Sequence, residues 1–176
     1  MRNLETKARC SDLAQARQRA LDLGAKEQWT RRQVDTYFAV PAGRLKLRRQ
    51  EDAPAELIYY QRPDTADARW SSYRIVTVTR AAELGELLAE ALGIVVHVDK
   101  TRTLLLYRGT RIHLDRVHGL GDFVELETVV QSQSSDEAWA EHSLVARALG
   151  ISQDDLVGES YSDMLLAGGA PHIDTH

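Results

Sequence analysis

Residues 111–127 read RIHLDRVHGLGDFVELE, and this stretch decides the fold. Arg111, His113 and Asp115 alternate with apolar residues, and Glu125 and Glu127 do the same further on. Successive side chains of a β-strand point to opposite faces, so the pattern predicts two strands, each with one charged and one apolar face. The glycine-containing segment between them predicts a short turn, which favours antiparallel pairing.

The same alternation recurs along most of the chain. Arg44, Lys46 and Arg48 share one face of a segment whose other two residues are leucines, and Lys100 and Arg102 repeat the spacing. We predict eight or nine mostly antiparallel strands. The strand-like segments cover residues 2–9, 28–40, 44–48, 56–62, 73–77, 94–100, 102–107, 111–117 and 122–130.

Three or four helices are predicted, and the first three carry an apolar stripe at helical spacing. Ser11, Thr79 and Ser135 are the expected residues at their starts. The helical segments cover residues 11–24, 79–92, 135–149 and 159–166. Each apolar stripe needs a surface to cover, and the apolar faces of the strands supply one. The fold class is therefore predicted to be α+β.

Composition limits the function classes. With 176 residues, 43% apolar and 27% charged, the chain is expected to form one domain, residues 1–176, with a frayed tail after about residue 168. The net charge of −4 disfavours a nucleic-acid-binding protein. Cys10 is the only cysteine, which excludes an intrachain disulfide and a thiolate metal site. No secretory leader and no apolar run of about 18 residues is found, so we expect a cytoplasmic protein without a membrane span.

The charged strand faces allow two interpretations. The simpler one is a sheet whose charged face is exposed to solvent. If the strands instead close into a barrel padded by the helices, the charges line its interior, where desolvation is costly without compensation. Such an interior suits a polyanion with metal ions, because basic groups bind phosphate and carboxylates bind hard cations.

Five segments, in order, resemble motifs of the CYTH superfamily, the triphosphate tunnel metalloenzymes. Residues 3–7, NLETK, look like its Glu-x-Glu-x-Lys opening strand, and residues 44–48 are similar to its basic strand. Residues 100–102 resemble its Lys-x-Arg strand, residues 113–127 its C-terminal signature, and residues 159–165 its closing helix. The resemblance implies a closed eight-stranded antiparallel β-barrel that binds a triphosphate with one or two Mg²⁺ or Mn²⁺ ions.

The resemblance also implies the residues of the site. The expected metal ligands are Glu5, Asp115, Glu125 and Glu127. The expected phosphate contacts are Lys7, Lys46, Arg48, Arg74, Lys100 and Arg102, joined by Arg111 and His113 through their alternation with Asp115. Glu5, Lys7 and Tyr37 are the expected catalytic residues, with Lys7 acting either as a phosphate contact or as a general base.

Two departures from the family pattern bear on the reaction. Asn3 stands where the opening motif has its first glutamate, and an amide oxygen is a weaker ligand for a hard cation. Gln61 stands where thiamine triphosphatases have a lysine that works with the tyrosine, which disfavours that activity.

The reaction itself stays open between a class IV adenylyl cyclase and a triphosphate hydrolase. The alternative is a module that binds a triphosphate or polyphosphate without turning it over. The expected partner is a small molecule that carries a triphosphate. An RNA 5′-triphosphate and a homodimer formed through an outer sheet face are left open.

Overall fold

The computed structural model describes residues 2–61, 69–130 and 134–169, which contain eight strands and four α-helices. The strands are β1 (Arg2–Arg9), β2 (Lys26–Phe38), β3 (Arg44–Gln50), β4 (Ala53–Gln61), β5 (Arg69–Val78), β6 (Ile94–Tyr107), β7 (Thr110–Val117) and β8 (Gly121–Val130). The helices are α1 (Leu13–Asp22), α2 (Ala81–Leu92), α3 (Ser135–Leu149) and α4 (Tyr161–Ala167), and a 3₁₀ turn covers Gln153–Asp155.

The strands pair in the order β1-β5-β4-β3-β2-β6-β7-β8, and every pair is antiparallel. β1 also pairs with β8, so the ladder of hydrogen bonds returns to its first strand. The predicted α+β fold, an eight-stranded antiparallel barrel with helices outside, is confirmed.

The helices cover apolar side chains on the outside of the barrel. On β7 and β8, the alternate residues Ile112, Leu114, Val124 and Leu126 are buried beneath α1 and α3. Their neighbours His113, Glu125 and Glu127 point into the interior. On these two strands the alternation seen in the sequence therefore separates charged residues that face the cavity from apolar residues that the helices cover.

A buried polar network attaches α3 to the barrel. His142 lies on this helix, and its two ring nitrogens are 2.7 Å from Thr6 Oγ1 and 2.9 Å from Thr128 Oγ1. Burial lowers the pKa of His142 to about 4, so this imidazole is neutral at physiological pH. Both nitrogens have partners, which is the usual condition of a buried structural histidine.

Several predicted boundaries are corrected. Residues 94–100 and 102–107 form one strand, because Thr101 continues the alternation and no turn residue interrupts it. Asp12 rather than Ser11 caps α1, and its carboxylate accepts from the backbone N–H of Gln15. Arg80 stands at the N-cap of α2 without a side-chain cap, and α3 is capped by Ser134, one residue earlier than expected.

The polar composition of residues 63–69 also predicts a loop. This segment and the frayed tail expected after about residue 168 fall largely outside the described residues. Within the described part of the chain, the helices are too short or too polar to cross a membrane.

Candidate functional site

The interior of the barrel holds a cavity of about 440 Å³, which lies in the usual range for small-ligand sites. All eight strands and the start of α4 contribute to its wall. The charged lining residues are Glu5, Lys7, Arg31, Lys46, Arg48, Glu56, Lys100, Arg102, Arg111, His113, Glu125 and Glu127. The aromatic and aliphatic lining residues are Trp29, Tyr37, Ile58, Tyr60, Tyr73, Ile75, Leu104 and Tyr161, and the uncharged polar ones are Gln33, Gln50 and Ser160.

One part of the wall, on β2, β3 and β6, is basic. Here Lys46, Arg48 and Lys100 converge on the fully buried carboxylate of Asp35, and we call these four residues the basic sector. Lys46 Nζ and Lys100 Nζ donate to Asp35 Oδ2 over 2.8 and 2.9 Å. Arg48 donates to both carboxylate oxygens, over 2.7 and 2.9 Å, and also lies 4.0 Å from Glu56. Three cations therefore share one buried anion.

This crowding shifts the pKa values of the basic sector. Burial alone would raise the pKa of Asp35, but the charges of Arg48 and Lys100 hold it well below its usual range. Burial lowers the pKa of Lys100 to about 7, since together with repulsion from the neighbouring cations it outweighs the attraction of Asp35. At neutral pH the Lys100 amine is therefore poised between its charged and neutral forms.

The guanidinium of Arg102 on β6 bridges to the next part of the wall. It donates to the Asp115 carboxylate over 2.6 and 2.5 Å and to Glu125 Oε2 over 2.7 Å. The Tyr161 hydroxyl also donates to Asp115, over 2.9 Å. Asp115 is fully buried behind these donors and does not line the cavity. The expected metal-ligand role of Asp115 is therefore corrected: it holds Arg102 and Tyr161 in place.

The wall formed by β1, β7 and β8 is acidic. Glu5, Glu125, Glu127 and His113 line it, and we call them the acidic sector. Pairing across the strands sets Glu5 opposite Glu127 and His113 opposite Glu125. One ligand atom from each of His113, Glu125 and Glu127 lies within 4.8 Å of the others. Burial would raise the pKa of Glu125, but the charge of Lys7 is the chief cause that holds it well below its usual range.

This donor set fits a divalent cation. Carboxylate oxygens are the ligands that Mg²⁺ and Mn²⁺ prefer, and imidazole nitrogen is a good ligand for transition metals. Among the described residues, His113, Glu125 and Glu127 are the one cluster with metal-ligand spacing.

Lys7 lies between the acidic sector and α4. Its Nζ is 3.8 Å from Glu125 Oε1, 4.0 Å from the centre of the Tyr161 ring, and donates to the carbonyl oxygen of Glu159 over 3.2 Å. The residue is only 2% exposed. The segment that leads into α4 thus positions the ammonium of Lys7 at the cavity wall.

The remaining expected site residues are placed as follows. Tyr37 lines the cavity with its hydroxyl 3.4 Å from that of Tyr60 and its ring 5.5 Å from Lys46 Nζ. Arg111 lines it too, with Nη1 3.5 Å from Glu127 Oε2.

Arg74 is a second correction. It is exposed and absent from the lining, whereas its neighbours on either side, Tyr73 and Ile75, face the cavity. The expected register of β5 is therefore wrong by one residue.

Sequence reasoning missed Asp35 and Tyr161. A signal for Asp35 existed: it continues the alternation of Arg31 and Gln33 and is the direct pairing partner of Arg48. Tyr161 gave no comparable signal, because its contact with Asp115 joins residues 46 positions apart.

The structure also shows where Asn3 and Gln61 lie, the two residues that depart from the family pattern. Asn3 is 1% exposed and does not line the cavity, and Gln61 donates to the hydroxyl of Tyr59 outside it. Neither residue contributes a ligand to the acidic sector.

Comparisons with known proteins agree with this architecture. A model of the CYTH domain matches residues 1–161. No curated protein matches the chain. Among solved structures, the PH1012 protein from Pyrococcus horikoshii superposes with a TM-score of 0.82 at 22% identity, over 92% of this chain and 98% of that one.

Two further solved structures belong to proteins whose names include an activity. A Vibrio parahaemolyticus protein, named as an adenylate cyclase candidate, has a TM-score of 0.74 and 16% identity over 93% of this chain and 97% of its own. A Hippeastrum protein, named as an adenylyl cyclase candidate with a dominant triphosphatase activity, has a TM-score of 0.64 and 12% identity over 99% of each chain. At these identities the likeness establishes the fold alone.

Proposed function

The chain belongs to the CYTH domain family, and on that premise we propose that it is a divalent-metal-dependent triphosphate hydrolase. The observation that carries the proposal is the meeting of the basic and acidic sectors in one cavity. A triphosphate is a polyanion that needs several cationic donors, and its reactions need a cation close to the reacting phosphorus.

The residues of the basic sector suit the phosphate chain. We assign Lys46, Arg48 and Lys100 to phosphate oxygens, since all three ammonium or guanidinium groups line the cavity. Lys7, Arg102 and Arg111 would extend the set toward the acidic sector. Phosphoryl transfer asks little covalent chemistry of the protein, so these residues act by holding the substrate and neutralising its charge.

The residues of the acidic sector suit the cation. Glu125 and Glu127 would hold it, and Glu5, paired opposite Glu127, would add a third carboxylate. When bound, a divalent cation supplies Lewis-acid stabilisation of the charge on the phosphate oxygens. In the proposed reaction water attacks the terminal phosphorus, and the bond from that phosphorus to the bridging oxygen breaks. The products are orthophosphate and the rest of the substrate, which now ends in a diphosphate, and the water releases a proton to solvent. Tyr37, which faces the cavity beside Lys46, would orient the substrate.

Hydrolysis is favoured over cyclisation because the polar contacts in the cavity serve phosphate and cation, and the similar Hippeastrum protein is described as having a dominant triphosphatase activity. Cyclisation of ATP is the second candidate. The observation in its favour is the apolar part of the wall at Trp29, Ile58 and Leu104, on which a purine could lie.

One assay separates these functions. The purified chain is offered tripolyphosphate, ATP and thiamine triphosphate with Mg²⁺ or Mn²⁺, and the products are separated by chromatography. Orthophosphate from tripolyphosphate supports the hydrolase, and cyclic AMP with pyrophosphate supports the cyclase. Binding without turnover of any substrate would replace both with a non-catalytic triphosphate-binding module.

A matched pair of variants ties the activity to the site. We expect Glu125→Gln to lower turnover by about 100-fold or more. Mutation of a residue that only hydrogen-bonds to a metal ligand already lowers metal affinity or activity by about 10- to 100-fold. The control is Glu90→Gln, the same substitution at an exposed position on α2. Unchanged turnover in Glu125→Gln would contradict the site assignment.

A further inference from the structure

His113 stands out among the buried histidines because one of its nitrogens has no partner. The residue is 5% exposed, and its Nδ1 is buried without a hydrogen bond. This nitrogen lies 3.7 Å from Glu125 Oε2 and 3.9 Å from Glu127 Oε1, beyond hydrogen-bonding distance. It therefore faces two carboxylates without bonding to either.

Leaving a buried polar atom unpaired is unfavourable, by about 1–3 kcal/mol. The fold does satisfy a buried histidine elsewhere: both nitrogens of His142 are bonded to threonine hydroxyls. Because His113 also lines the cavity, its unpaired nitrogen is open to a partner that a ligand supplies.

We propose that His113 is the third protein ligand of the cation held by Glu125 and Glu127, and that its nitrogen makes the site prefer Mn²⁺ or Co²⁺ to Mg²⁺. This rests on the proposed function and names the metal preference of that site. The ligand atoms of the three residues lie within 4.8 Å of one another. His113 Nδ1 is 3.7 and 3.9 Å from the two carboxylates, within the roughly 4.2 Å that two metal–ligand bonds of about 2.1 Å can span. Imidazole binds transition metals well, whereas Mg²⁺ prefers oxygen ligands only.

The charges around His113 favour a cation over a phosphate as its partner. A phosphate oxygen bound at Nδ1 would lie against the carboxylates of Glu125 and Glu127, and like charges repel at this distance. A cation at the same place is attracted by both carboxylates, which it would share with Arg102 at Glu125 and with Arg111 at Glu127. The expected role of His113 as a phosphate contact is therefore replaced by a role as a metal ligand.

The test measures metal binding without turnover. Mn²⁺ is added to the purified chain, its affinity is measured by electron paramagnetic resonance, and electron spin-echo modulation reports any directly bound nitrogen. We expect a nitrogen coupling in the wild type that is lost in His113→Gln. The affinity for Mn²⁺ should fall about tenfold or more, while the affinity for Mg²⁺, measured by competition, changes about twofold at most.

The matched control is His118→Gln, at an exposed histidine in the turn after β7, which should leave both affinities and the nitrogen coupling unchanged. His113→Asn is a second variant in case His113→Gln fails to fold, and thermal melting identifies such a failure.

Three outcomes would overturn the inference: no nitrogen coupling in the wild type, an equal loss of Mn²⁺ and Mg²⁺ affinity in His113→Gln, or intact Mn²⁺ binding with loss of metal-free tripolyphosphate binding. The last result would make His113 a phosphate contact. A wild type that binds Mn²⁺ through nitrogen but turns over no triphosphate would instead contradict the proposed function and leave the metal site standing.

Discussion

The basic and acidic sectors line one cavity, yet the buried charges in the two sectors are compensated differently. In the basic sector, cations converge on Asp35 with donor–acceptor distances of 2.7–2.9 Å. In the acidic sector, Glu125 accepts one short bond from Arg102, but the groups around His113 Nδ1 stay 3.7 and 3.9 Å away. The basic sector contains its own counterion, whereas the acidic sector holds a buried nitrogen, His113 Nδ1, that makes no hydrogen bond.

This difference indicates which sector stabilises the fold in the absence of a ligand. A buried carboxylate surrounded by cations is part of the structure, because removing it leaves charges that nothing compensates. Glu127 at the cavity wall, whose ion pair with Arg111 spans 3.5 Å, should add little to stability until a cation arrives. Neutralising Asp35 should therefore lower the stability of the ligand-free protein strongly. Neutralising Glu127 should lower it little, but should remove most of the stabilisation that a bound cation provides.

The largest effect is expected from Asp35→Asn. Loss of this anion leaves Lys46, Arg48 and Lys100 to repel one another in a buried place, and the free energy of unfolding should fall by about 3–5 kcal/mol. Because tripolyphosphate would restore the missing negative charge, it should raise the melting temperature of Asp35→Asn more than that of the wild type. Chemical denaturation and thermal melting with and without tripolyphosphate measure both effects.

The control for Asp35→Asn is Asp99→Asn. Asp99 also accepts two bonds from one arginine, Arg32, but this pair lies at the surface. An exposed pair is worth about 0–1 kcal/mol, so Asp99→Asn should change stability by no more than that. If the two variants proved equally stable, the cations of the basic sector would be held by solvent rather than by Asp35.

A smaller effect is expected in the acidic sector, from Glu127→Gln. Its side chain is 20% exposed, and its ion pair with Arg111 spans 3.5 Å, so the metal-free variant should lose less than about 1 kcal/mol. Wild-type stability should rise by about 2.7 kcal/mol when Mn²⁺ is present at about 100 times its dissociation constant. Most of that gain should be absent in Glu127→Gln.

Melting in chelator and in Mn²⁺ checks this, with Glu90→Gln as the control that keeps the full gain. A metal-free Glu127→Gln that lost as much stability as Asp35→Asn would show both sectors to be structural and would remove the contrast between them.

The contrast also explains how much the sequence could predict. Alternation made the barrel and its charged interior predictable, because a period of two fixes which face each side chain takes. It located Glu5, Glu125 and Glu127 on the lining correctly. Arg74 is expected from the family resemblance alone, and a shift of one residue in register moves a side chain to the other face.

The pairing of charges inside the barrel could not be predicted in this way. Asp115 follows the alternation of Arg111 and His113, yet Arg102 and Tyr161 surround it and separate it from the cavity. Alternation assigns a face of the strand but not a depth along the barrel. Depth depends on which side chains from distant strands and from α4 fill the end of the interior.

The smallest effect concerns the pH dependence of the basic sector and rests on Lys100, whose pKa is lowered to about 7 chiefly by burial. A bound triphosphate favours the ammonium form and raises this pKa in the complex. The affinity is therefore fully present below pH 7 and falls by at most about tenfold per pH unit as the pH rises from 7 to the pKa of the complex. Lys100→Arg, which stays charged, should lack this fall.

Calorimetric titration with metal-free tripolyphosphate between about pH 6 and 9 measures the affinity of both proteins. Because tripolyphosphate titrates identically in both experiments, the difference between the two affinities depends only on the protein. Equal slopes would mean that Lys100 does not contact phosphate, and the basic sector would then serve only to hold the barrel together.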